Sequence, residues 1–143
     1  MSENSINISI VPQSERFSFL PSMFGNGTYL EGESTVYAYM SALCREYTGG
    51  YWNYAYLSNG GRVMLPEMEE TTVTISVRLN GYQGQMTPNA AGIVCCLFAL
   101  SGLSCKVFQT NPEAAELIAE RYHQLRDFAL EHAEREAILA AID

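Results

Sequence analysis

Positive charge is what this chain has least of. Its 143 residues carry 8 Lys and Arg against 16 Asp and Glu, for a formal net charge of −8, and Lys106 is the single lysine. A protein that grips nucleic acid through its phosphates needs a dense basic patch. None is present, so strong nucleic-acid binding is not expected. Charge of either sign is scarce, 17% of residues against roughly 25% in ordinary globular domains. Residues 79–105 carry none at all, while residues 112–143 hold eight acids and three arginines.

Long apolar runs are also missing. The most apolar segment, Ala90 to Leu103, has 14 residues, short of the roughly 20 that a bilayer span needs. It reads as a buried core helix. The start, Met1-Ser2-Glu3-Asn4-Ser5, has neither the positive region nor the apolar stretch of a signal peptide. No membrane association and a cytoplasmic location are expected.

The four cysteines, Cys44, Cys95, Cys96 and Cys105, make no CxxC and match no zinc spacing. In a reducing compartment they behave as small free hydrophobes. HExxH, GxSxG, GxGxxG and the P-loop pattern are absent. Gly81-Tyr82-Gln83-Gly84 precedes a helix but lacks the lysine and spacing of a phosphate loop, so it reads as a turn. Neither a metal nor a cofactor is expected, and no catalytic set is visible.

What is there is enough for one core. Hydrophobic residues make up 48%, and a chain near this length buries roughly 68–70% of its unfolded surface. Residues 1–5 read as a frayed end, and Ile6, Ile8 and Ile10 alternate as a short edge strand would. Residues 1–15 thus form a flexible or edge-strand segment ahead of a single domain at 16–143. Arg16 to Gly25 reads as an apolar loop or strand ending in a turn. A helix is predicted from about Glu33 to Tyr47, with Val36, Tyr39, Met40, Leu43, Cys44 and Tyr47 on its stripe and Gly49-Gly50 as its stop.

Tyr51–Leu57 and Arg62–Leu65 flank the turn signal Ser58-Asn59-Gly60-Gly61, a hairpin. Glu67–Glu70 follows as a solvated loop. Thr71–Leu79 alternates with Val73, Ile75, Val77 and Leu79 on one side, as a strand buried on one face does. Thr87-Pro88 and Asn111-Pro112 open two helices as N-cap plus first helical position, the former being the buried central helix. The latter carries Leu117, Ile118, Tyr122, Leu125, Phe128 and Ala129 on its stripe. Arg121 lies within that stripe, as a snorkelling stem or the partner of a carboxylate. A final helix spans about Glu134 to Ile142, with Glu131–Arg135 as an i,i+4 pair. Strands and helices without βαβ alternation give an α+β fold, a small antiparallel sheet with about four helices.

Few residues suggest chemistry. His123 and Asp127 are spaced i,i+4 but lie on the polar face of their helix. His132 reads as a helix cap or core residue. A Cys44–His123 nucleophile pair is the enzyme alternative, with no local support. Trp52, Tyr54 and Tyr56 share one strand face beside Asn59. Such a face either packs under the helices, the simpler reading, or recognises a partner, where Tyr and Trp are enriched.

Longer patterns carry more. Phe19-Leu20-Pro21 with Phe24-Gly25, Gly49-Gly50-Tyr51-Trp52 running on to Leu57-Ser58-Asn59-Gly60-Gly61, Asn80-Gly81-Tyr82 leading into Ala90-Ala91-Gly92-Ile93-Val94, and Arg121-Tyr122-His123 with Leu125-Arg126-Asp127-Phe128-Ala129 resemble the antirestriction proteins of the ArdB/KlcA type. The match in order and spacing runs along residues 16–143. The resemblance implies a protein of plasmids or other mobile elements that protects incoming DNA from type I restriction-modification enzymes. The implied partner is the type I complex, met directly or indirectly. It implies inhibition by binding, without catalytic residues and without the form of a DNA mimic. Trp52, Tyr54, Tyr56 and Asn59 are then the candidate partner contacts. The alternatives are a small enzyme using Cys44 or His123 and an acidic DNA-mimic module.

Overall fold

A computed structural model describes residues 5–143. The polar start read above as a frayed end lies, in its residues 1–4, outside them. The element order is β1 (Ile8–Ile10), a single 3-10 turn at Gln13–Glu15, α1 (Arg16–Phe24), α2 (Tyr29–Leu43), β2 (Trp52–Leu57), β3 (Arg62–Pro66), β4 (Val73–Val77), β5 (Tyr82–Met86), α3 (Pro88–Val107), α4 (Pro112–Glu131) and α5 (Arg135–Ile142). This is an α+β fold with two small antiparallel sheets, β1-β2-β3 and β4-β5.

The hairpin forms where the alternating sequence and the Asn-Gly turn place it. Trp52 pairs with Pro66, Tyr54 with Met64 and Tyr56 with Arg62. β1 joins the outer side of β2, with Ser9 opposite Tyr56. Its Ile8 and Ile10 are exposed, as on a two-sided edge strand.

α3 is the central helix, capped as its sequence indicates: the Thr87 side chain accepts the Ala90 N–H, and Pro88 opens the first turn. It extends two residues before and four beyond the apolar segment that announced it. By length and composition it is able to cross a bilayer, yet 67% of its apolar window is buried inside the fold. It packs along the free edge of β3 rather than on a sheet face. The Met64 N–H donates to Cys96 Sγ (3.4 Å), and the Cys96 thiol donates to the Met64 carbonyl (3.5 Å). One side chain thus satisfies both outward backbone groups of Met64, which pairing with β2 leaves open. The close approach requires glycine at position 92, where a Cβ would lie 2.7 Å from Pro66 Cδ and 2.8 Å from the Met64 carbonyl oxygen.

Several elements differ from the sequence expectation. Residues 16–24 form a helix, α1, not a loop or strand. It buries Phe19, Met23 and Phe24 and tolerates Pro21 inside so short a helix. α2 begins and ends about four residues early. It stops at Cys44, whose extended backbone bridges to Ile75 of β4, before Gly49-Gly50 is reached. Glu46 seals this junction by accepting the Thr74 N–H (2.9 Å).

Gly81-Tyr82-Gln83-Gly84, expected as a turn, instead leads into strand β5, held by β4 (Ile75 opposite Gly84). Leu79 is fully exposed, because β4 ends at Val77 and Leu79 lies in the turn. α4 is capped by Asn111 as expected. The Glu131–Arg135 pair does not form; Glu131 instead accepts the Ile6 N–H (2.8 Å), tying the N-terminal segment to α4.

Candidate functional site

The β2–β3 turn is docked on α4, and the most concentrated polar geometry of the described surface is at this junction. Asn59 Oδ1 accepts the Gly61 N–H (3.0 Å), the local bond that shapes the turn, while its Nδ2 donates to the Gln124 carbonyl of α4 (2.9 Å). Gln124 Nε2 returns a bond to the Asn59 carbonyl (3.2 Å). Gly60 sits at φ +95°, a region that side chains disfavour. A Cβ there would also lie 2.9 Å from Gln124 Nε2.

Two arginines meet at the carbonyl oxygen that this glycine presents. Arg62 Nη1 donates to it from β3 (2.5 Å), and Arg121 Nη1 from α4 (3.0 Å). Both also reach Ser22 of α1: Arg62 Nε donates to Ser22 Oγ (3.0 Å), and Arg121 Nε to the Ser22 carbonyl (2.9 Å). Arg121 Nη1 adds Gln124 Oε1 at 3.1 Å. Two guanidiniums thus bolt α1, the hairpin and α4 together through neutral oxygens. Tyr56 lies beneath Arg62, its ring centroid 5.0 Å from the guanidinium carbon, and its hydroxyl donates to Glu15 (2.9 Å).

Neither arginine forms an ion pair with a described carboxylate; the pair that does form is Lys106 with Glu31. Burial pushes the Arg121 pKa down, the Arg62 charge pushes it further, and Glu120 opposes both. The Nη2 atoms of both arginines have no partner among the described residues, and neither atom is buried. Each therefore offers N–H donors to solvent. A hollow of about 530 Å³ opens elsewhere, along α2 between Glu31 and Ala42.

The sequence candidates divide around this junction. Asn59 and Tyr56 belong to it. Trp52 and Tyr54 are buried, 3% and 7% exposed, and face α1 and α2. Tyr54 stacks on Phe19 (4.4 Å, 9°), and Arg16 lies over its ring at 4.1 Å. Trp52 packs between Tyr37 and Tyr47 and donates its Nε1–H to the Tyr47 hydroxyl (3.0 Å).

Cys44 is buried, and its thiol, pushed up chiefly by burial, donates to Glu46 (3.7 Å). His123 is exposed on α4, so the two do not form a hydrogen-bonded dyad. His132 acts as a cap, its Nδ1 accepting the Glu134 N–H (2.9 Å). Sequence reasoning singled out Arg121 but missed Arg62, Ser22 and Gln124. Arg62 was visible only as the start of the return strand, and nothing local links it to Ser22, 40 positions away, or to Arg121.

Comparison with known proteins covers the whole chain. A family model described as antirestriction protein matches residues 45–143. Antirestriction protein KlcA of Escherichia coli is 41% identical over 141 residues, covering 99% of this chain and 97% of that protein. A second Escherichia coli KlcA is 43% identical over 135 residues, covering 93% and 90%. A solved structure from work on KlcA and ArdB superposes with a TM-score of 0.87 at 42% identity, covering 100% of this chain and 99% of its own. That work describes a novel fold and antirestriction activity against type I DNA restriction systems in vivo but not in vitro.

Proposed function

The chain belongs to the antirestriction protein family, and from that membership we propose that it protects incoming plasmid or phage DNA by relieving type I restriction in the cytoplasm, through binding rather than catalysis or DNA mimicry. The observation that carries this reading is the fold-level match along the entire chain, at 42% identity, to a protein structure whose family acts on type I systems. Activity seen in vivo but not in vitro fits an inhibitor whose contact includes a cellular component absent from a purified reaction, so the type I complex is engaged directly or through that component.

The hairpin–α4 junction is the contact surface in this reading, with Tyr56, Asn59, Arg62 and Arg121 at its centre. Trp52 and Tyr54 are buried on the same strand and are not part of that surface. Interface energy concentrates in a few Tyr, Trp and Arg anchors, and this is where the described surface gathers them around one turn. No cofactor or metal is needed for such a role.

The test is plating of unmodified phage on cells with and without an active type I system while this chain is expressed. Plating on the restricting host should rise toward that on the non-restricting one. Host DNA modification should stay largely intact if inhibition acts after site recognition. Unchanged restriction at high soluble expression would overturn the proposal.

A further inference from the structure

We propose that the Arg62–Arg121 pair is an anchor for a carboxylate on an acidic partner protein. The inference takes from the antirestriction reading that the partner is a protein; the rest comes from the junction itself.

Two like charges are brought to one carbonyl oxygen, partly out of water, with no carboxylate among the described residues in ion-pair contact with either. Their mutual repulsion is held in place by Ser22, Gly60 and Gln124, which fix both guanidinium planes before any ligand arrives. An acidic side chain placed across the Nη2 groups gains charge-assisted bonds, bidentate where the fork geometry allows, at little ordering cost. It also relieves the repulsion. Both arginines are only half-buried, within reach of a side chain presented by another protein.

A nucleic acid fits less well. A duplex presents one negative charge per roughly 1.7 Å of axis. Glu15 sits beside the pair on Tyr56, and Glu120 on Gln124, so neighbouring phosphates would meet acids. The chain carries −8 overall. One carboxylate meets the two arginines alone.

The experiment titrates the full ¹⁵N-arginine-labelled chain with an oligoglutamate peptide, an oligoglutamine control and a short DNA duplex. The Nε–H groups of Arg62 and Arg121 are hydrogen-bonded to Ser22 and so report the site directly. Oligoglutamate should shift both signals saturably, and oligoglutamine should not. Arg62→Lys and Arg121→Lys, which keep charge but lose the fork, should each weaken binding by about tenfold. They should also lower phage plating on the restricting host.

Absence of a shift with oligoglutamate, or tighter binding of the duplex, overturns the anchor. If a lysine variant fails to fold, the wild-type titration still decides. A wild-type chain that relieves restriction without binding oligoglutamate overturns the anchor and leaves the antirestriction reading standing. One that binds it without relieving restriction does the reverse.

Discussion

Trp52 owes its burial to neighbours that no local pattern reveals. Tyr37 comes from α2 and Tyr47 from the segment after it, and they hold the indole from two sides. The period-2 alternation did show that Trp52, Tyr54 and Tyr56 share a face, but not which face would be covered. Truncation of Trp52 to Ala should therefore cost about 3–5 kcal/mol, as large aromatic deletions in a core do, measured by denaturant unfolding. A change under about 0.5 kcal/mol, the range of surface substitutions, would mean that the aromatic face is outward.

The adjacent cysteines are equally buried but not equivalent. Cys96 has a donor and an acceptor in the Met64 backbone, whereas Cys95 meets only the Met40 sulfur (3.6 Å). Cys95→Ser should destabilise by roughly 1–3 kcal/mol, the cost of an unsatisfied buried hydroxyl, and Cys96→Ser by less. The thiols also differ in reach. Burial pushes Cys96 up to about 12 and Cys95 well above the ordinary thiol range. Only Cys105 is exposed, so an aromatic disulfide reagent should titrate one fast thiol in the native chain. Rapid reaction of several would contradict this packing.

At the scale of elements, the contact of α3 with the β3 edge brings helix and strand backbone close together. Helix propensity alone would favour Ala over Gly at position 92 by about 1 kcal/mol. The added methyl would collide with Pro66 and with the Met64 carbonyl, both on a strand already fixed by β2. Overpacking of this kind costs typically 1–3 kcal/mol, so Gly92→Ala should lower stability despite the propensity gain, as a thermal melt would show. A higher Tm would mean that α3 has room to withdraw.

The elements that were legible are those whose signals are local. The hairpin has its Asn-Gly turn, α3 and α4 have their Thr-Pro and Asn-Pro starts, and β4 has its strict alternation. Those that were not legible depend on partners. α1 contains a proline, and only the burial of Phe19, Met23 and Phe24 against the rest of the molecule makes it worthwhile. β5 reads Tyr-Gln-Gly-Gln-Met, weak in strand formers, and exists because β4 offers it a ladder. The end of α2 is set by a bridge to Ile75 some thirty residues ahead, which overrides the glycines nearby.

At the scale of the whole molecule, the distribution of acids bears on mechanism. A duplex mimic presents its carboxylates outward in a long regular array. Here eight acidic side chains among the described residues accept hydrogen bonds within the chain. Glu134 holds the start of α3 through Thr87, Glu46 closes α2 onto β4, and Glu131 fastens Ile6. These carboxylates tie together elements of the fold.

The net charge was legible from composition, but this use of it was not, because each bond spans elements far apart in sequence. The consequence can be measured. With a fluorescent duplex bound to a purified type I enzyme, excess of this chain should, on the proposed binding mechanism, leave the anisotropy at its bound value. Release of the duplex would identify the chain as a mimic.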